Sequence, residues 1–241
     1  MILLLFILFI QIYAQNFHVR LKGEEIVISY CEQCDQPIVQ PNELTVYRMT
    51  INEGVERITS ETFKNIKIKQ ITIPSSLQEF DELFVDTSTL EMINLNKNNK
   101  YFEKRGNGLV EKKTWKMVLY ENANEIQDPV YNFDKRTMII GAKLFKSNKN
   151  ITQIILNDYI ETIKQEAFSG MLNLSSIILN TRLQTIEERV FLDTPLLKTI
   201  YFGGKSSPSC PSNAIDSSAT IDLKVHKEFS STDFCGKTIN P

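Results

Sequence analysis

Ile154, Leu156, Ile163 and Phe168 are followed, 23 residues later, by Ile177, Leu179, Ile186 and Phe191. A hydrophobic register that recurs at a fixed period of this length restricts the fold severely, because each supersecondary unit leaves an apolar edge that only the next unit can bury. Units stacked in this way form a solenoid. Anchored on the phenylalanine, three units share the spacing: Tyr131, Phe133 and Ile140 precede Phe145; Ile151, Ile154, Leu156 and Ile163 precede Phe168; Leu174, Ile177, Leu179 and Ile186 precede Phe191. Leu197, Ile200 and Phe202 begin a last strand. Upstream, Val46, Met49, Ile51, Val55, Ile58 and Phe63 keep the register, and a shortened unit follows with Ile71, Ile73, Leu77, Phe80 and Phe84.

Inside a unit, a short segment such as 154–156 alternates with the period of two that a strand requires. The segment from isoleucine to phenylalanine, "IKQEAF" in one copy, is built of helix-compatible residues. The expected fold class is therefore an α/β repeat solenoid, with a strand on the concave side of each coil and short helical or irregular returns.

Two stretches, "ITIPSSLQEFDELF" and "IILNDYIETIKQEAFSGMLNL", carry a likeness to a known class. In them the chain resembles the BspA-like leucine-rich repeat proteins over about residues 44–202. It departs from that pattern in having proline after the strand only at Pro74, and in lacking a cysteine in the turn after the phenylalanine. The resemblance implies a noncatalytic protein that binds a protein or glycan, secreted or surface-associated, acting in adhesion or in contact with a host cell or extracellular matrix, of the kind found in bacteria and parasitic protists.

Between 96 and 130 the register is lost. "GLVEKKTWKMVLY" reads as two strands, 108–110 and 115–120, joined by a polar turn at 111–114, so an inserted hairpin is expected there. Flanking segments should cap the solenoid, since a terminal coil otherwise exposes its apolar edge. Upstream, a hairpin is expected within 15–43, from the alternation of Val19 and Leu21 with Ile26, Ile28 and Tyr30; downstream, 203–241 is a polar, looped cap. The apolar run from Met1 to Ala14 fits a secretory signal peptide over 1–14, too short to span a bilayer comfortably, and no later stretch reaches transmembrane length.

Export would place the four cysteines in an oxidising compartment, where an even number favours disulfides. Three pairings are possible. The position of one pair before the repeats and the other after them favours Cys31 with Cys34 and Cys210 with Cys235. "CEQC" also has the spacing of a redox dithiol, which makes a secreted thiol-disulfide oxidoreductase using Cys31 and Cys34 the alternative; a working dithiol, however, sits at a helix N-terminus, and this one follows a strand. A self-assembling structural coat component is a further alternative.

Other chemistry is thin. "GGKSS" at 203–207 lacks the leading glycine of a phosphate loop, no Gly-x-Ser-x-Gly elbow occurs, and His18 and His226 are the sole histidines, so neither a cofactor nor a metal is expected. Lys and Arg, 27 in all, nearly balance 29 Asp and Glu, which gives no bulk case for nucleic acid. The balance is uneven, though. Residues 96–120 hold Lys97, Lys100, Lys104, Arg105, Lys112, Lys113 and Lys116 against Glu103 and Glu111, so that a chain of net charge −2 carries +5 here and −7 elsewhere. Lys104, Arg105, Lys112, Lys113 and Lys116 are candidates for holding a polyanion, or else lysines guarding strand edges. Sequons at Asn150 and Asn173 fall five residues after successive phenylalanines, on one rim.

Alternation also assigns an outer row. With Ile154, Leu156, Ile177, Leu179, Ile200 and Phe202 inward, Ile155, Ile178 and Tyr201 point out, flanked by Gln153, Asn157, Ser176, Asn180 and Thr199. These eight residues are the expected partner-binding surface.

Overall fold

A computed structural model of the chain describes residues 17–22, 24–30, 45–58, 66–81, 85–122, 128–215 and 220–239. The expected signal peptide at 1–14, the pair Cys31 and Cys34, and the anchors Phe63 and Phe84 lie outside the described residues.

The chain winds as a β-solenoid of about seven turns. Each complete C-terminal coil contributes one strand to each of two parallel sheets. Val130–Asn132, Gln153–Ile155, Ser176–Leu179, Thr199–Phe202 and Asp222–Val225 lie side by side in the first. Ile139–Ile140, Thr162–Ile163 and Thr185–Ile186 lie side by side in the second. The 23-residue period becomes exact register: Ile154 pairs with Ile177, Ile177 with Ile200, and Ile163 with Ile186. All five isoleucines are fully buried, as are Phe145, Phe168 and Phe191, whose rings stack at 5.8 and 5.6 Å between centroids.

The expected helical returns are corrected by the structure. Among the described residues helix is limited to one 3-10 turn, Thr87–Thr89, and the fold is not α/β. Two features of the returns explain this. Lys143, Glu166 and Arg189, at the same place in successive coils, all have left-handed backbone, with φ of 56°, 53° and 54°; Ser147, Gly170 and Asp193 repeat it four residues on, at 58°, 69° and 54°. A right-handed helix cannot pass through such residues. Moreover, the N–H groups that would close helical turns are donated to the next coil: Lys143 N–H to Gln165, Glu166 to Glu188 and Arg189 to Asn213, at 3.0–3.1 Å, and Phe145 to Ala167 and Phe168 to Val190 at 2.8 and 3.1 Å. Coil-to-coil bonding replaces a helix too short to nucleate.

Upstream, Phe17–Lys22 and Glu25–Tyr30 form an antiparallel hairpin, and the second strand continues in parallel with Thr45–Ile51, Ile66–Ile73 and Met92–Leu95. The segment 96–122 holds three antiparallel strands, Phe102–Arg105, Gly108–Glu111 and Lys116–Tyr120. The turn closing the last two bends through Trp115 at φ 54°. A bulge between Leu109 and Val110 shifts the pairing, and the two faces part company. Leu109, Val118 and Leu119 pack into the N-terminal apolar core, whereas Val110, Met117 and Tyr120 pack into the C-terminal one. The hairpin is thus a wedge with both faces buried, and Lys116–Tyr120 pairs in parallel with Ile139–Ile140 to start the second sheet. Gly141 permits that junction: a Cβ there would meet the Met117 carbonyl oxygen at 2.4 Å, and its N–H donates to that oxygen at 2.9 Å.

Candidate binding surfaces

On the first sheet, strand pairing sets Ile155 beside Ile178 and Ile178 beside Tyr201. Ile178 is 36% and Tyr201 39% exposed, and Ile155 is intermediate. Asn132 extends the row at one end and Lys224 at the other, where its ammonium stands 5.3 Å from the Tyr201 ring centroid and 3.5 Å from Asp222. The Tyr201 phenol first, and the Asp222 carboxylate after it, favour the charged form of Lys224 and raise its pKa. In the adjacent row Gln153, Ser176 and Thr199 align, and Gln153 Nε2 donates to Ser176 Oγ at 3.0 Å.

Asn157 and Asn180 do not belong to this surface. The strands end before them, at Ile155 and Leu179, and alternation ends with the strand. Asn157 Nδ2 donates to the carbonyls of Asp134 and Thr137 at 2.6 and 3.0 Å, and its Oδ1 accepts from the N–H groups of Tyr159 and Ile160 at 2.7 and 3.1 Å. Asn180 repeats the arrangement one coil on, donating to the carbonyls of Asn157 and Ile160 and accepting from Arg182 N–H at 2.9 Å, while only 7% exposed. These amides form a ladder that satisfies backbone groups at the coil corner. Their recurrence at one register was the signal for it. Asn180→Ala is expected to destabilise the chain by about 2 kcal/mol, since it strands buried carbonyls, with little change for Thr181→Ala; urea midpoints of the two variants check this.

The basic segment is less free than its charge suggests. Lys104 Nζ pairs with Glu121 at 2.6 Å, and the same carboxylate oxygen of the buried Glu121 accepts the Ile93 N–H at 2.7 Å. Arg105 pairs with Glu103 at 2.5 Å, which raises its pKa, and Lys112 Nζ donates to the Asn99 carbonyl at 3.2 Å. Lys113 is exposed and Lys116 half-buried. Lys104 and Arg105 also line an open cleft of about 730 Å³, together with Asn107, Tyr120, Tyr131 and Asp134, a feature with no counterpart in the sequence pattern. Burial pushes the Tyr120 phenol up to about 12 and that of Tyr131 higher still; both hydroxyls stay protonated at neutral pH and offer hydrogen bonds, not a base.

Cys210 and Cys235 form a disulfide with Cα atoms 5.3 Å apart. Asn173 is exposed with Nδ2 donating to the Lys149 carbonyl at 2.7 Å, and Asn150 stands one coil before it at the same rim. Among the described residues no helix is long and apolar enough to cross a membrane, and no three His, Cys, Asp or Glu side chains gather to hold a metal.

The BspA type leucine rich repeat region matches the chain in six copies, over residues 42–128 and 138–233. Among solved structures, a leucine-rich repeat protein from Eubacterium ventriosum superposes with a TM-score of 0.54 at 15% identity, covering 84% of this chain and 75% of that one. The pneumococcal vaccine antigen PcpA gives 0.46 at 14% identity, covering 91% and 89%. A leucine rich cell surface protein from Faecalibacterium prausnitzii gives 0.47 at 16%, covering 75% and 60%. No curated protein matches the sequence.

Proposed function

Because the chain belongs to the BspA-type leucine-rich repeat family, we propose that it is a noncatalytic binding protein, secreted or surface-associated, that engages a protein or glycan in adhesion or matrix contact. The observation that carries this reading is the row of Ile155, Ile178 and Tyr201, apolar, part-exposed and in register on hydrogen-bonded strands. Solenoids offer such rows because every coil repeats the same outward position. Support for a surface location comes from the family and from the apolar run over 1–14.

A partner covering the row removes from water only what is still exposed, a little over a third of Ile178 and Tyr201 and a smaller part of Ile155, worth roughly 0.5–1 kcal/mol apiece. Replacing Ile155, Ile178 and Tyr201 together by serine should therefore weaken binding by about 2 kcal/mol, some 30-fold. The measurement is capture of the wild-type and variant proteins on extracellular-matrix and cell-surface extract, with circular dichroism to establish that both fold alike. Equal capture would remove the row from the binding surface.

A further inference from the structure

The corner that leads from the first sheet to the second is built three times on one pattern. Asp134 Oδ1 accepts the N–H of Arg136 at 2.9 Å, Asn157 Oδ1 that of Tyr159 at 2.7 Å, and Asn180 Oδ1 that of Arg182 at 2.9 Å. Equivalent turns on hydrogen-bonded coils set Arg136, Tyr159 and Arg182 in one row, about 4.8 Å from coil to coil. All three are exposed, Tyr159 by 49%. The Arg182 guanidinium carbon lies 5.5 Å from the Tyr159 ring centroid, and that of Arg136 lies 5.5 Å from the Trp115 ring centroid. Cation and aromatic alternate along the row, and Lys205 continues the spacing beyond Arg182, where Glu228 pairs with it at 2.6 Å.

Arg136 and Arg182 differ from Lys104 and Arg105 of the hairpin in their surroundings. Among the described residues neither has a carboxylate within ion-pair distance, whereas Lys104 and Arg105 are each held by a glutamate. The acids in the same turns are Asp134, an oxygen of which takes the Arg136 N–H, and the exposed Asp158. Stacking on a ring keeps each guanidinium in place while leaving its N–H fork free.

We propose that this row binds a linear polyanionic polysaccharide laid across the coils. Two arginines two coils apart stand roughly 10 Å apart, comparable with the repeat of an extended polysaccharide bearing one anionic group per disaccharide. Each guanidinium takes a sulfate or carboxylate in two parallel hydrogen bonds, and the Tyr159 ring between them meets the sugar that spans the gap. An acidic protein would present carboxylates on flexible stems without that fixed period. This site is separate from the Ile155, Ile178 and Tyr201 row in position: it lies at the coil corner, past the strand ends.

Calorimetry of the full chain with a heparin octasaccharide, its desulfated counterpart and poly-glutamate tests the proposal. The expected results are salt-sensitive binding of the octasaccharide, a loss of at least about tenfold in Arg136→Gln/Arg182→Gln, and no loss in Leu172→Ser, an exposed position outside both rows. Retention of the desulfated form would assign recognition to the uronate carboxylates, and its loss to the sulfates. Unchanged affinity in the double variant, no binding by the wild type, or equal binding of poly-glutamate would overturn the proposal. Both arginines are exposed, so folding is not at stake; a single Arg182→Gln variant gives the same reading with one substitution.

Discussion

Phe168→Ala is expected to lower stability by about 3–5 kcal/mol, which at the usual 5–15 kcal/mol for a domain is a large share of the whole. Phe168 is completely buried, with Phe145 and Phe191 stacked on either side of it at 5.8 and 5.6 Å. A cavity there cannot collapse easily, because the backbone on both sides is fixed by coil-to-coil bonds, Phe145 N–H to Ala167 and Phe168 N–H to Val190. The loss should therefore sit near the upper part of the range, and neighbouring coils should loosen with it, as nearest-neighbour coupling in a solenoid requires. Urea unfolding monitored by far-UV circular dichroism gives the difference, and hydrogen exchange at Ile154 and Ile177 reads the coupling. A loss below about 1 kcal/mol would mean that the phenylalanine stack does not hold the coils together.

Cys210→Ser/Cys235→Ser should cost about 3 kcal/mol, the loop-closure estimate for a bridge spanning 25 residues. The bridge closes the cap over the last full coil. Phe234 is completely buried with its ring 5.0 Å from Phe202, Phe229 meets Phe202 edge-on at 6.0 Å, and Asp222–Val225 adds a strand to the first sheet. Without the bridge the cap should detach first, exposing Phe202 and removing Lys224 from the Tyr201 ring. A melt of the double variant showing an early transition, with protection lost first at Thr199–Phe202, is the expected outcome. A single transition at the wild-type temperature would show that apolar packing alone holds the cap.

Much of this architecture is legible in one dimension. Burial in a solenoid is one-dimensional, so residues 23 apart must occupy equivalent sites, and Ile154, Ile177 and Ile200, or Ile163 and Ile186, can be placed without coordinates. The same rule finds the outer row of Ile155, Ile178 and Tyr201, because side-chain direction within a strand depends on position parity alone. The rule fails within two residues of the strand end. Asn157 and Asn180 have the parity of the outer row, yet the chain has already turned and their amides serve the corner.

What the sequence by itself determined was the repeat: its period, its inward residues, and the break at 96–130 where the period lapses. The tertiary structure alone decided the returns and the charges. "IKQEAF" suits a helix locally, but Glu166 and its equivalents Lys143 and Arg189 adopt left-handed backbone, a conformation that no side chain among them advertises, and their N–H groups find carbonyls on the next coil that exist only once coils stack. Likewise, the seven basic residues of 96–120 look like one patch in sequence, whereas Glu121, outside that window, neutralises Lys104, and Arg136 and Arg182, which among the described residues have no carboxylate within ion-pair distance, stand 46 residues apart in the chain and two coils apart in space. Apolar burial follows from local pattern because it needs only a face; the pairing of a charge or a backbone donor depends on which neighbour arrives, and that neighbour is supplied by the winding of the chain.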